Sequence, residues 1–133
     1  MAITDPKKLN LVLSFFKLNV DDIDRMTRFY QDAFGFVLDN TIKFPHAEER
    51  MLKLPGQAFE LVLLVQPEEA AIAIGTGHGP VGIRTSEVEA VVANIKDCGG
   101  TIDWGPVSFP GATAAMARDP EGHEIEILCV HAD

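Results

Sequence analysis

The chain is short of positive charge. Its 133 residues carry 11 Lys and Arg against 20 Asp and Glu, a formal net charge of −9. So acidic a chain repels nucleic-acid backbones and anionic membrane surfaces, and neither is expected as a partner. Cysteine is scarce as well. Cys98 and Cys129 make no CxxC pair and no disulfide framework. They read as small core or near-surface residues of a protein in the reducing cytoplasm. No run reaches the roughly 18 apolar residues of a membrane span. Residues 1–10 are polar and do not read as a signal peptide. There is no P-loop, no GxGxxG after a strand and no GxSxG. Gly75-Thr76-Gly77-His78-Gly79 is glycine-rich, but no Lys-Ser/Thr pair follows it, so it reads as a connector. The four histidines lack a ligand spacing such as HxxxH. His46 is expected in solvent, His123 in local hydrogen bonding and His131 at the chain end. His78 would offer a metal donor only if the strand after it began early.

What is present is enough apolar material for a core, 47% of the chain. The most telling stretch is 117–128. Asp119-Pro120-Glu121-Gly122 has turn chemistry: Pro presets φ, Gly accepts positive φ, and Asp can accept from the backbone just ahead. After the turn, Ile125, Ile127 and Cys129 alternate with Glu124, Glu126 and Leu128, which reads as a strand. A carboxylate at the centre of such a strand, Glu126, is unlike a bland core.

Taken in order, the alternation predicts strands over 11–20, 36–44, 48–54 and 59–65. Between the first two, Ile23, Met26, Tyr30, Ala33 and Phe34 recur at helical spacing. Asp22 suits the cap of that helix and Gly35 its end. After a connector at 67–77 the pattern restarts. A strand is predicted at 80–85, then a helix with Val88, Val91, Val92 and Ile95 on one face. Ser86 and Glu89 have capping-box spacing, and Gly99-Gly100 end the helix. Strands follow at 101–104, 112–118 and 123–130. Val20/Thr85, Ile23/Val88 and Gly35/Gly100 are each 65 residues apart, and Glu60/Glu126 are 66 apart. The repeat predicts an α+β fold made of two β-α-β-β-β units in one domain, residues 1–133, with units at about 10–66 and 78–130. Neither unit, at roughly 55–60 residues, would bury much core by itself.

This duplicated pattern resembles the vicinal oxygen chelate superfamily of glyoxalase I, bleomycin-binding proteins and extradiol dioxygenases. The resemblance is carried by Val20-Asp21-Asp22-Ile23-Asp24-Arg25, Phe29-Tyr30, Phe34-Gly35-Phe36, Ser86-Glu87-Val88-Glu89, Gly99-Gly100 and the run from Arg118 to Glu126. It implies two curved mixed sheets forming an open cleft, with helices outside, and a homodimer whose clefts draw on both chains. It also implies a divalent ion held at positions that fall on Phe15, Glu60, Pro80 and Glu126. Glu60 and Glu126 are carboxylates, whereas Phe15 and Pro80 have no donor.

Two carboxylates make a poor site for Ni, Co, Zn, Mn or Fe, which take three or more donors and favour imidazole among them. Lys17 and Arg84, expected on the same cleft face, are suited to neutralise Glu60, Glu124 or Glu126 without an ion. The expected protein therefore binds a small molecule in the sheet cleft and has no cofactor. Phe15, Trp104 and Phe109 supply aromatic surface, Lys17, Glu60, Arg84 and Glu124 polar contacts, and Glu124 or Glu126 a counter-charge for a cation. For Trp104, partial burial at a strand end is the competing role. The alternative is a metal-dependent lyase, isomerase or transferase of the glyoxalase I type, with Glu60 and Glu126 as ligands and Glu126 as the base that moves a proton. A metal-free general base at Glu126 is a third route. Turnover itself is left open by these residues.

Overall fold

The structure, a computed structural model, describes residues 4–131. Strand β1 (Phe15–Val20), helix α1 (Ile23–Phe34) and strands β2 (Val37–Phe44), β3 (Ala47–Lys53) and β4 (Glu60–Val65) form the first unit. Strand β5 (Val81–Arg84), helix α2 (Val88–Asp97) and strands β6 (Thr101–Phe109), β7 (Ala112–Arg118) and β8 (Glu124–Val130) repeat it. The sheets are ordered β1-β4-β3-β2 and β5-β8-β7-β6. In each, the first and fourth strands run parallel and the other neighbours antiparallel, so both sheets are mixed and the α+β expectation holds.

Helix α1 forms where the apolar spacing placed it. Asp22 caps it by accepting from Arg25 N at 3.0 Å, and Gly35 ends it at φ 79°. Its buried face, with Met26, Phe29, Tyr30 and Ala33, meets Leu18, Leu52, Leu61 and Leu63 of the first sheet in one hydrophobic cluster. That cluster continues through Val92 and Ile95 of α2 to Ala115, Ile125 and Ile127 of the second sheet. The helices touch, and Asn94 Nδ2 donates to Ala33 O at 3.3 Å. Gly100 permits this approach. A Cβ there would lie 2.6 Å from Arg118 O and 3.1 Å from the Phe29 ring.

Four expectations need correction. The first strand starts at Phe15, not residue 11, because β4 begins opposite Phe15 and reaches back no further than the bond from Glu60 N to Ser14 O at 3.2 Å. Leu11, Val12 and Leu13 stand 76%, 82% and 84% exposed. The Ser86/Glu89 capping box does not form. The helix begins one residue later, with Glu87 at its cap, and Thr85 Oγ1 takes Glu87 N instead. The strand predicted at 101–104 runs to Phe109, since register shifts on both sides of Trp104 let it continue past Gly105-Pro106. The spacing of the repeat also changes. Lys53 and Arg118, 65 apart, face Glu60 and Glu124 across their hairpins. By register Glu60 therefore corresponds to Glu124, and Glu126 lies two residues further along its strand. The second unit loses a hairpin residue where a gain was expected.

Candidate ligand cleft

Residues opposite each other on neighbouring strands point to the same face of a sheet. On the first sheet one row is Phe15, Glu60, Lys53 and Val37, and the next begins with Lys17 and Val62. On the second sheet Gly82, Glu126, Met116 and Trp104 form a row. It is flanked by one with Glu124, Arg118 and Thr101 and one with Arg84, Leu128, Ala114 and Val107. Phe109 faces Ala112, whose neighbour on the other side is Val130. The predicted site residues thus divide between the sheets. Phe15, Lys17 and Glu60 lie on the first, and Arg84, Trp104, Phe109, Glu124 and Glu126 on the second. The aromatic members are open: Phe15 is 49%, Trp104 42% and Phe109 47% exposed. Trp104 lies within β6, not at its end.

The expected ion pairs are replaced by others. Lys17 Nζ bonds Glu49 on β3, rather than Glu60, Glu124 or Glu126, and sits 5.5 Å from the centre of the Phe15 ring. Glu124 is 3.9 Å from Arg118, its cross-strand neighbour. Arg118 also bonds Asp103 and the carbonyl of Gly122. Arg84 enters no ion pair among the described residues. Glu49 was not singled out in the sequence, and Arg118 only as the first residue of the run that carries the resemblance. Strand register sets Arg118 across from Glu124, whereas Glu49 lies opposite Leu64 and reaches Lys17 diagonally across β4.

A cleft of about 460 Å³ opens between β1, β5 and the connector that joins the units. Phe16, Leu18, Ile72, Ile74 and Val81 supply its apolar lining. It brings Lys17 and Glu124 together, but Phe15, Glu60, Arg84, Trp104, Phe109 and Glu126 do not line it. His78 does line it, from a loop and not a strand, with its ring edge-on to Phe16 at 6.0 Å. His46 is exposed as expected and pairs with Glu68, and His131 Nε2 bonds Thr113.

The family's ion does not fit the donors of one chain. Phe15 and Pro80 have no ligand atom, and Glu60 and Glu126 stand on different sheets. Among the described residues no three His, Cys, Asp or Glu side chains form a group able to hold a metal.

The turn before β8 makes the best-satisfied polar cluster. Asp119 is 3% exposed. Its carboxylate accepts from Tyr30 OH at 2.7 Å and from Glu121 N and His123 N at 3.0 Å, and Gly122 N closes the turn onto Asp119 O. His123 Nδ1 lies 2.8 Å from the carboxylate, and Nε2 lies 2.8 Å from Asn19 O in the first unit. The Glu121 carboxylate takes Asp21 N and Asp22 N, both at 2.7 Å. Burial, then the Asp119 charge and hydrogen bond, push the Tyr30 hydroxyl well above the usual tyrosine range. Burial lowers the His123 pKa, but the hydrogen bond and charge of Asp119 outweigh it and the net shift is upward. The sequence marked Asp119 as a turn residue and His123 as a local partner. It had no signal for the bonds to Tyr30 and Asn19.

Comparison with known proteins agrees with this architecture. The profile of the Glyoxalase/Bleomycin resistance protein/Dioxygenase superfamily matches residues 10–127. A lactoylglutathione lyase of Arabidopsis thaliana is 30% identical over 129 residues, covering 92% of this chain and 46% of that protein. One from Haemophilus influenzae is 28% identical over 117 residues, covering 84% and 87%. The chain thus spans about half the length of the plant relative. Among solved structures, glyoxalase I from Zea mays superimposes with a TM-score of 0.79 at 29% identity, over 91% of this chain and 45% of that one. An antibiotic-binding protein from Streptomyces sp. CB03234 gives 0.71 at 26% identity, over 98% and 99%. The matched profile covers nearly all of the chain and both β-α-β-β-β units are in place: the chain belongs to the glyoxalase/bleomycin resistance protein/dioxygenase superfamily.

Proposed function

We propose that this protein binds a small molecule in its sheet cleft without a complete metal site, as a cytoplasmic homodimer. The observation that carries this reading is the pair Phe15 and Pro80 at the first-strand ligand positions. A phenyl ring there removes a donor and adds apolar surface beside Glu60, its cross-strand neighbour. Trp104 in the Glu126 row and Phe109 at the edge of the second sheet add open aromatic surface there. Carboxylates among open aromatic rings suit a flat or cationic ligand. Similarity to an antibiotic-binding protein of almost the same length supports binding without turnover.

The second reading, a metal-dependent lyase, is favoured by the lactoylglutathione lyases among the relatives and by the retained Glu60 and Glu126. It requires donors beyond those two. Metal analysis of protein purified without chelator, followed by Ni²⁺, Co²⁺, Zn²⁺ and Mn²⁺ titration, separates the readings. The expected result is no stoichiometric metal. Binding lost in Glu60→Gln and Glu126→Gln would overturn the metal-free site. In parallel, Trp104, the only tryptophan, reports ligands by fluorescence. Bleomycin or a simple aromatic cation is expected to shift its emission. Glu126→Gln is expected to weaken the cation about tenfold, equivalent to about 1.4 kcal/mol.

A further inference from the structure

We propose that His123 is a proton-dependent clamp between the two β-α-β-β-β units, closed only while its ring carries both protons. Both ring nitrogens face acceptors. Nδ1 lies 2.8 and 3.0 Å from the Asp119 carboxylate oxygens, and Nε2 lies 2.8 Å from the carbonyl oxygen of Asn19. Asp119 also takes the Tyr30 hydroxyl, so it acts as an acceptor. A carbonyl oxygen is never a donor. A neutral imidazole has one N–H and satisfies one of these contacts; the other would set a lone pair against an oxygen. Only imidazolium satisfies both.

The second contact is the one that crosses the molecule. Asp119 and His123 belong to the same turn, whereas Asn19 is on β1 of the other unit. A ring that loses one proton keeps the N–H aimed at the charged carboxylate, the stronger of the two bonds. The bond to Asn19 is the one that breaks. That bond borders the cleft, which both Asn19 and His123 line.

The charged surroundings hold the proton. From the turn, Asp119 and Glu121 face the ring region, and Tyr30 of α1 bonds Asp119. Asp21 and Asp22, before α1, present backbone N–H groups to Glu121. Lys17 of β1, Glu124 of β8 and His78 of the connector line the same cleft. Lys17 is engaged by Glu49 and Glu124 by Arg118, so neither carries its full charge to the ring. His123 gains protonated-state partners on folding and its pKa is raised. The clamp's contribution is therefore complete below the unfolded value of about 6.5 and lost as pH rises through the folded one. An asparagine at this position offers an amide N–H that does not titrate.

The inference does not depend on what the cleft binds. Its test uses the full chain and its His123→Asn variant. The imidazole ¹⁵N and ¹H signals are followed by NMR, melting temperatures are taken from about pH 5.5 to 9, and exchange of the Asp21 and Asp22 amides is corrected for intrinsic rate. The parent ring is expected to titrate above ordinary histidine. Its melting temperature, relative to the variant, should fall by about 3–5 °C across that titration. Exchange at Asp21 and Asp22 should quicken in the parent alone. A ring that titrates at or below the ordinary value overturns the clamp, as does a pH-independent difference in melting temperature or unchanged exchange. If His123→Asn does not fold, ring titration and exchange in the parent decide the matter.

Discussion

Tyr30 is almost fully buried and its hydroxyl has one acceptor, the Asp119 carboxylate, 89 residues away in the chain. Tyr30→Phe keeps the ring in its aromatic cluster with Phe29, Phe34 and Phe36 but removes the donor. Asp119 retains two backbone donors and His123. The expected cost is about 1–2 kcal/mol, the range for one hydrogen bond to a charged group after partial compensation. It is read as a lower midpoint in urea with unchanged slope. Individual residues were the scale at which the sequence was least legible. It placed Tyr30 on a buried helix face and Asp119 in a turn, both correctly, yet nothing local says that they meet. The same holds for Lys17. Its expected partners were carboxylates of the family site, but the register of β3 sets Glu49 within its reach. Side-chain pairing depends on which strands are neighbours, and that information is not local.

Elements were more legible, because helix periodicity, strand alternation and terminal glycines all act over a few residues. The boundaries of α1 agree with its expected cap and stop to within a residue. The failures occur where a neighbour decides. Strand β1 is shortened by the start of β4, and β6 is lengthened by bulges that no alternation pattern marks. Two glycines separate local from tertiary requirements. Gly35 ends α1 at φ 79° with open space around a would-be Cβ, so Gly35→Ala carries only backbone strain, about 1 kcal/mol. Gly100 has no such φ, but a Cβ would lie 2.6 Å from both Arg118 O and Ile95 Cγ2. Relief there means parting α2 from β7, or α1 from both. Gly100→Ala is expected to cost more, about 2–3 kcal/mol. Chemical denaturation of the two variants side by side checks the order. Equal losses would mean that the packing of α2 and β7 around Gly100 is soft.

At the scale of the molecule, the exposed apolar surface supports the proposed homodimer. The chain has 8631 Å² of accessible surface, against roughly 6,900 Å² for a folded monomer of this mass. The excess exceeds the roughly 800 Å² that each partner buries in a standard interface. Part of it lies in the extended arm, where Leu11, Val12 and Leu13 are more than three-quarters exposed. Part lies on the cleft faces, where Phe15, Val37, Phe44, Trp104 and Phe109 stand open. The predicted site residues are also divided between two sheets within the chain, with Glu60 on one and Glu126 on the other. A partner that covers the arm and the sheet faces would bury that surface and bring site residues from two chains together. Replacing Leu11, Val12 and Leu13 by serine removes only side chains that touch little within their own chain, so the fold is expected to survive. Each apolar group buried at an interface contributes about 1.5–3 kcal/mol. The triple variant should therefore raise the dimer dissociation constant at least a hundredfold, measured by sedimentation velocity across a dilution series. Because the proposed site draws on sheet faces of both copies, the Trp104 response to an aromatic cation should weaken over the concentrations at which the variant dissociates. A monomeric parent, or a monomeric variant with an undiminished response, would place the ligand site on the Trp104 face of a single chain.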